Sequence, residues 1–278
     1  MGFSKSLRNI AILAGLAAAC PQLAHQRLAK RQGTNGTLEE DPRFWAYEAS
    51  YDWGRLDPDW VLCQTGAEQS PIPLRLDQGL SRYHVMNFQY PTNVSGYFYN
   101  WGYGPAYSID HPEGDYTTLP SVEFDEDNKN ETVYLASWHI HSPADHTVQG
   151  DRSKAELHLV HADAEGHERA VMAIRIDPGN SDSQFFRQLP TMIGFNSTDE
   201  HRLEVPMNLN LALNEVNNFA DFWTYKGSLT SPPCTEGLRW FVARNIMFVS
   251  DQQMQDILRV STFSARTEQE VWRHDINV

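Results

Sequence analysis

Short runs of alternating apolar and polar residues dominate the chain from residue 41 onward, and clusters of Gly, Pro, Asn and Asp separate them. The runs are VMNFQY, SGYFYNW, TVYLASWHIH, AELHLVHAD, RAVMAIRID and LRWFVARNIMFV. A period of two residues is typical of β-strands, and the separating residues favour turns. RAVMAIRID also suits a helix by propensity, but its β-branched residues and the Pro178-Gly179 stop favour a strand. The pattern predicts a mainly β protein.

Two segments carry patterns typical of helices. They are SDSQFFRQLPTMI, residues 181–193, and SDQQMQDILRVSTF, which begins at Ser250. Ser250 is a suitable N-cap, and Met254, Ile257 and Leu258 share one face of the second segment. Because no repeat, low-complexity tract or change of composition interrupts the chain after Asp41, we predict one domain over residues 41–278.

The first residues differ from the rest of the chain. MGFSKSLRNIAILAGLAAAC places two basic residues ahead of an apolar run that ends in small residues. This pattern predicts a secretory signal peptide over residues 1–20; an amphipathic helix is disfavoured because both faces of the run are apolar. The polar residues 21–40, with the dibasic pair Lys30-Arg31, are interpreted as a leader or pro-segment, or as a plain linker.

Three further features agree with an extracellular protein. No later segment is long and apolar enough to span a bilayer, and the polar tail shows no lipid-anchor signal. Four Asn-X-Ser/Thr sequons are candidate glycosylation sites: Asn35, Asn93, Asn130 and Asn196. The formal net charge of −14 makes nucleic acid an improbable partner. We therefore predict a secreted, soluble product, of which the sequence does not indicate the oligomeric state.

Cysteine usage also fits an oxidising compartment. Cys20 lies at the signal boundary, which leaves Cys63 and Cys234 as the pair that can form a disulfide. Two buried free thiols are the alternative.

Three histidines stand at a spacing suited to a metal site. His139 and His141 in SWHIH project from the same face of a strand, and His158 in AELHLVH shares a face with Glu156. If SPADHTVQGDRSK forms a hairpin with its bend near Gly150, the two strands lie side by side and the histidines meet. Three neutral imidazoles leave one position on Zn²⁺ open, which is the catalytic pattern.

Two other interpretations of HIH stay open at this point. An isolated H-x-H is commonly a pair of surface or hydrogen-bonded histidines. The segment HIHSPADHTVQG also imitates the metal motif of cupin barrels, which would place Asp145 on iron or manganese. The cupin interpretation leaves ELHLVH and SLTSPP unexplained.

Four motifs in the order QSPI, HIH, ELHLVH and SLTSPP resemble those of the α-class carbonic anhydrases. The resemblance runs from about Trp53 to Phe248. It implies a single mainly β domain, built on a large twisted, mostly antiparallel central sheet with short flanking helices. It also implies a zinc lyase that reversibly hydrates carbon dioxide to bicarbonate and a proton through zinc-bound hydroxide.

The resemblance assigns roles to individual residues. His139, His141 and His158 match the zinc ligands, and Glu156 matches the acid that orients the third ligand. Thr230 matches the threonine that accepts the proton of zinc-bound hydroxide. The apolar wall that receives carbon dioxide matches five residues: Val160, Val171, Leu229, Leu238 and Trp240.

Other matches concern the frame and the ligands of the site. Cys63 and Cys234 match a disulfide of secreted members, and Ser70-Pro71 and Pro232-Pro233 match cis peptides. Because deprotonated sulfonamides bind an open zinc position beside a hydroxyl, we expect sulfonamide-type inhibitors to compete with the substrate here.

Three departures from the family pattern weaken the expected activity. Ser137 replaces a glutamine that supports the first ligand, and Asp145 replaces the glutamate that orients the threonine. Tyr103 falls near the proton-shuttle histidine, although His84 or His111 are alternatives for that role. The competing function is therefore a secreted carbonic-anhydrase-like protein that binds zinc with little or no turnover.

Overall fold

Thirteen strands and a few short helices form the part of the chain that the structure describes. The structure is a computed structural model, and it describes residues 45–81, 84–195 and 201–278. The predicted signal peptide, the leader, Asn35 and Asn196 lie outside these residues.

The strands are β1 Asn87–Gln89, β2 Gly96–Asn100, β3 Pro105–Ile109, β4 Ser121–Glu126, β5 Lys129–His141, β6 Thr147–Val148, β7 Asp151–Arg152, β8 Ala155–Ala162, β9 Glu168–Gly179, β10 Leu203–Glu204, β11 Phe222–Ser228, β12 Glu236–Ala243 and β13 Met247–Ser250. The α-helices are α1 Leu62–Thr65, α2 Asn210–Glu215 and α3 Asp251–Arg259. Short 3₁₀ segments span Tyr47–Arg55, Pro58–Trp60, Leu76–Gln78, Tyr116–Thr118, Phe186–Gln188 and Asn217–Phe219. None of the helices in the described ranges has the length and apolar character needed to cross a bilayer.

One sheet of eleven strands is the frame of the molecule. Its main order is β10-β2-β3-β5-β8-β9-β12-β11, while β4 pairs with β5 and β1, and β13 pairs with β9. Its pairings are antiparallel except for the parallel pairs β9–β12 and β9–β13. The predicted mainly β, single-domain architecture on a mostly antiparallel sheet is confirmed.

The central strands β5 and β8 are buried on both faces. On one face Trp138, Leu157 and Leu159 are fully buried in the largest apolar cluster. Because side chains alternate along a strand, the histidines between them point to the other face. The linker between β5 and β8 contains the small β6–β7 hairpin, whose bend at Gln149-Gly150 has positive φ at both residues. The predicted hairpin is confirmed.

The two predicted helices have different outcomes. Helix α3 begins after Ser250, whose side chain accepts from the Gln253 N–H, and it buries Met254 and Ile257. Leu258, the third residue of the predicted shared face, is 40% exposed. The prediction of a helix over residues 181–193 is wrong, because only Phe186–Gln188 forms a helical turn. Long-range bonds hold this segment instead, including one from the Ser183 hydroxyl to Glu215.

A disulfide fixes the loop before β12. Cys63 on α1 and Cys234 are joined, with Cα atoms 5.1 Å apart, so the predicted disulfide is present. The same loop is held by the bond from Leu229 N–H to the Thr235 carbonyl, 3.0 Å long. Cis peptides occur at both expected places and also at Ser142-Pro143. The loop carries Thr230 and presents it to the face of the sheet that holds the histidines.

Candidate metal centre

Strand pairing brings the three predicted histidines together. His139 on β5 lies directly opposite His158 on β8, and His141 lies opposite Glu156. The three rings are buried, and one ligand nitrogen from each lies within 4.8 Å of the other two. Tetrahedral Zn²⁺ with bonds of about 2.0–2.1 Å to nitrogen needs donors grouped at this scale. The arrangement has the donor type, number and spacing of a three-histidine zinc site.

Hydrogen bonds select the nitrogen that two of the three rings, His158 and His141, can offer to a metal. His158 Nε2 lies 2.8 Å from Glu156 Oε1, which leaves Nδ1 of His158. His141 Nδ1 lies 2.5 Å from the Ser264 carbonyl, which leaves Nε2 of His141. That Nε2 is 3.0 Å from His139 Nε2. Converging ring nitrogens with protons held on the far side suit neutral imidazole ligands around a cation.

Glu156 holds the His158 ring in place through a hydrogen bond. It is fully buried and also accepts from the backbone N–H of His146 at 2.9 Å, and its Oε1 lies 2.6 Å from His146 Nδ1. Burial alone raises the pKa of Glu156, but the interactions with His146 and His158 outweigh burial and hold the pKa well below its ordinary value. His146, Glu156 and His158 also form a compact group of possible ligands. Their close contacts are those of donors on a shared carboxylate, so we assign this group to ligand support.

A chain of buried polar groups extends from Glu156 to the disulfide region. The Tyr225 hydroxyl lies 2.7 Å from His146 Nε2 and 3.1 Å from Ser70 Oγ. Burial raises the pKa of Tyr225 well above its ordinary value, so the phenol stays protonated at neutral pH. Arg266 donates to the Ser70 carbonyl at 2.7 Å and to Gln69 Oε1 at 2.9 Å. Burial lowers the pKa of Arg266 to about 10, which leaves its guanidinium charged at neutral pH.

Thr230 and Asp145 both lie near the histidines, but no hydrogen bond connects them. Thr230 lines the cavity over the three rings. Asp145 is fully buried; its Oδ1 accepts from the Arg266 N–H at 2.8 Å, and its Oδ2 lies 3.6 Å from His141 Nδ1. Within the described ranges Asp145 Oδ2 accepts no hydrogen bond. A buried carboxylate oxygen that accepts none is costly, so this oxygen is available to a nearby hydroxyl.

Ser137, which we expected to support the first ligand less than a glutamine would, is a buried residue of the histidine strand. It lies on β5, two residues before His139, and is 2% exposed. In the described part of the chain its hydroxyl has no hydrogen-bond partner. A weaker hold on His139 at this position stays a prediction.

Four of the five predicted wall residues line the cavity: Val160, Val171, Leu229 and Trp240. Leu238 is buried and packs in the same apolar cluster, but it is not among the residues that line the cavity. On β12 it lies opposite Gly227 of β11.

None of the three proton-shuttle candidates lines the cavity. Tyr103 is 8% exposed, with its ring stacked 5.8 Å from that of Trp45 and edge-on to Tyr47 at 5.0 Å. His84 belongs to a separate surface cavity, where its Nε2 lies 3.0 Å from the Val278 carbonyl. His111 Nδ1 lies 3.2 Å from the Ile109 carbonyl. The structure therefore places Tyr103 in an aromatic cluster beside the metal site.

The protein-family sequence model of the eukaryotic-type carbonic anhydrases matches residues 48–276 of the chain. The chain belongs to this family. Among curated proteins it is 31% identical to α-carbonic anhydrase 6 of Arabidopsis thaliana, over 71% of this chain and 70% of that protein. It is 28% identical to dioscorin DB3S of Dioscorea polystachya, over 90% of this chain and 85% of that protein. The family resemblance and the enzyme class expected from the sequence are confirmed.

A solved α-carbonic anhydrase from Thermovibrio ammonificans has the same fold. It superimposes with a TM-score of 0.65 at 25% identity, over 81% of this chain and 92% of that chain, and it was solved with the inhibitor sulfanilamide.

Four residues of the carbonic anhydrase cavity escaped the sequence analysis: Tyr47, Trp101, Glu168 and Ser231. The Trp101 ring centre lies 5.0 Å from that of His139 and 5.3 Å from that of His141. Tyr47 and Trp101 lie far from the histidine motifs in sequence, so only the sheet order brings them here. Ser231 follows Thr230 directly, and its position next to that residue was an available signal.

Asn93 and Asn130 are the sequons that fall within the described residues. Asn93 is exposed in the connection before β2, and Asn130 is exposed at the start of β5 beside the Asp127-Asn128 turn. An exposed loop or turn is where an N-linked glycan is tolerated.

Proposed function

We propose that the protein is a secreted zinc enzyme that catalyses the reversible hydration of carbon dioxide to bicarbonate and a proton. One observation carries the proposal: three buried histidines converge, with the outer nitrogen of His158 held by Glu156 and that of His141 by the Ser264 carbonyl. Imidazole is a ligand that Zn²⁺ favours, and this set lacks the bound carboxylate that iron or manganese would prefer.

Bound Zn²⁺ supplies a Lewis acid that lowers the pKa of a coordinated water to about 7. His139, His141 and His158 would hold it, and because they are neutral they leave its positive charge undiminished. Thr230 lines the same cavity, where its hydroxyl oxygen can accept a hydrogen bond from an attacking oxygen and so orient it. Val160, Val171, Leu229 and Trp240 supply an apolar surface for weakly hydrated carbon dioxide.

Asp145 and Tyr103 complete the proposed catalytic set. Asp145 would orient Thr230 through its second oxygen, with Arg266 N–H holding the first. Tyr103 remains the proposed shuttle position, although a phenol with an ordinary pKa near 10 relays protons poorly at neutral pH. Dissolved buffer would then carry away some of the released protons.

Several features support secretion and inhibitor binding. The disulfide, the exposed sequons at Asn93 and Asn130 and the predicted signal peptide all suit an oxidising, extracellular compartment. The sulfanilamide complex of the bacterial relative supports binding of sulfonamides at this site.

The test is stopped-flow carbon dioxide hydration with metal content measured on the same purified sample. We expect about one zinc per chain and turnover that a sulfonamide abolishes. Stoichiometric iron or manganese would contradict the zinc assignment. Zinc without turnover would instead favour the competing function, a carbonic-anhydrase-like zinc-binding protein. Two observations favour that competitor. Among the described residues, Asp145 Oδ2 accepts no hydrogen bond from Thr230, and the Ser137 hydroxyl has no hydrogen-bond partner.

A further inference from the structure

A β-bulge at the start of β9 turns Glu168 towards the metal cavity. Along the β8–β9 pair, Val160 faces Val171 and His161 faces Ala170, but Ala162 faces Glu168. Arg169 is therefore the extra residue of the bulge. Bulges re-aim side chains, and they are over-represented next to active sites.

The bulge places Glu168 on the face of the sheet that carries the metal ligands. Residues directly opposite each other in an antiparallel pair point to the same face, so Glu168 shares the face of Ala162, and hence of His158. Glu168 is 7% exposed and lines the cavity together with the three histidines and Thr230. Arg169 takes another direction, where its Nε donates to Glu131 Oε1 at 2.8 Å.

The carboxylate differs in kind from its surroundings. Among the described residues that line this cavity, Glu168 is the one with an acidic side chain; the others are apolar, aromatic, hydroxyl-bearing or histidine. In a cavity lined by buried side chains, a fixed charge acts on other charges more strongly than it does in water. The apolar part of the wall, formed by Val160, Val171, Leu229 and Trp240, binds by apolar contact, which does not distinguish the charge of a ligand.

We propose that Glu168 sets the charge preference of the metal cavity, favouring ligands that carry a cationic group and disfavouring anionic ones. The proposal rests on the proposed function, because the ligands concerned bind in the cavity by coordinating the metal. Bicarbonate and inhibitory anions fall in the disfavoured class, whereas carbon dioxide, which is uncharged, is indifferent to this carboxylate.

The test compares three benzenesulfonamides of similar size on the zinc-loaded full chain: para-aminomethyl, para-carboxylate and para-methyl. Affinities are measured by calorimetry for the natural protein, Glu168→Gln and the control Glu165→Gln. Glu165 lies exposed on the turn before β9, so the control makes the same charge change outside the cavity. In Glu168→Gln we expect the anionic probe to bind about three- to tenfold more tightly and the cationic probe about three- to tenfold more weakly. The neutral probe should change by less than about twofold.

Two further comparisons decide between outcomes. Glu168→Asp keeps the charge and should keep the preference, which separates electrostatics from a loss of packing. Equal shifts for all three probes, or no shift for any, would overturn the role of Glu168 while leaving the proposed function intact. Failure of all three probes on the natural zinc-loaded chain would refute the proposed function, and this proposal with it.

Discussion

Two histidines on β8 have opposite environments although they lie three residues apart. His158 and His161 are both buried, and strand alternation sends them to opposite faces of the sheet. His158 meets Glu156 at Nε2 and the other two histidines beyond. His161 meets the Tyr90 hydroxyl at Nε2, 2.5 Å away, and the Leu159 carbonyl at Nδ1, 3.1 Å away.

The difference shows that burial does not make a histidine a ligand. Both nitrogens of His161 are occupied by protein groups that satisfy a neutral ring, and burial lowers its pKa to about 3. In His158 one nitrogen is held by a carboxylate and the other is left for a metal. A histidine that binds metal is therefore recognised by what its two ring nitrogens contact. The difference between the two faces of β8 can be tested by substitution.

The largest expected effect is loss of the metal in His158→Ala. Removing one of three ligands should reduce the zinc content from about one per chain to near zero, because two histidines alone do not hold Zn²⁺ firmly. His161→Gln, on the other face, should retain its zinc. The metal content of both variants is measured by mass spectrometry after exhaustive dialysis, and circular dichroism checks that His158→Ala is folded. Equal zinc in the two variants would refute the ligand assignment.

The second effect concerns acid stability and belongs to the opposite face. The folded-state pKa of His161, about 3, lies below the unfolded value of about 6.5, so the unfolded state binds a proton first as the pH falls. The contribution of His161 to the free energy of unfolding is therefore full above about pH 6.5 and is lost towards pH 3. The expected loss from this group is about 2 kcal/mol by pH 5 and about 4 kcal/mol near pH 3.

Urea unfolding at several pH values checks this prediction. His161→Gln, which does not titrate, should lose less stability between pH 7 and pH 5 than the natural protein. His167→Gln is the control, since His167 lies exposed on the turn that follows β8. Parallel pH dependences of the natural protein and His161→Gln would show that another group causes the acid sensitivity.

The third effect tests the carboxylate behind His158. Glu156→Gln keeps the shape of the side chain but puts an amide where a carboxylate accepts hydrogen bonds from His146 and His158. We expect zinc affinity to fall about 10- to 100-fold. Tyr90→Phe removes a buried polar contact from the other face and should leave the affinity unchanged. The affinities are measured by competition with a chromogenic chelator. A similar loss in both variants would mean that general destabilisation, rather than ligand orientation, weakens the site.

Sequence reasoning predicted what depends on local alternation. The HIH pair, His158 and the strand order that joins them follow from a period of two and a hairpin turn. The helix over residues 181–193 failed because distant partners such as Glu215 bind that segment, and a periodic pattern cannot show them. Glu168 was missed for a related reason. Its direction is set by a bulge, which breaks the alternation on which a face assignment depends.

The smallest expected effect tests whether the short side chain of Asp145 limits the site. Asp145 Oδ1 is fixed by the Arg266 N–H, while Oδ2 accepts no bond in the described residues, and Thr230 stands over the same histidines. Asp145→Glu adds one methylene and should bring the second oxygen closer to the Thr230 hydroxyl. We expect kcat/KM to rise severalfold, by up to about tenfold, since one such bond is worth about 1 kcal/mol and zinc binding is not involved.

The same substitution in a Thr230→Ala background is the control for Asp145→Glu. Without the hydroxyl the added methylene has nothing to orient, so the gain should disappear. Assays are run well below the melting temperature, because overfilling a fully buried position costs about 1–3 kcal/mol. A gain that persists without Thr230, or no gain in either background, would show that Asp145 acts on His141, 3.6 Å away, rather than on Thr230.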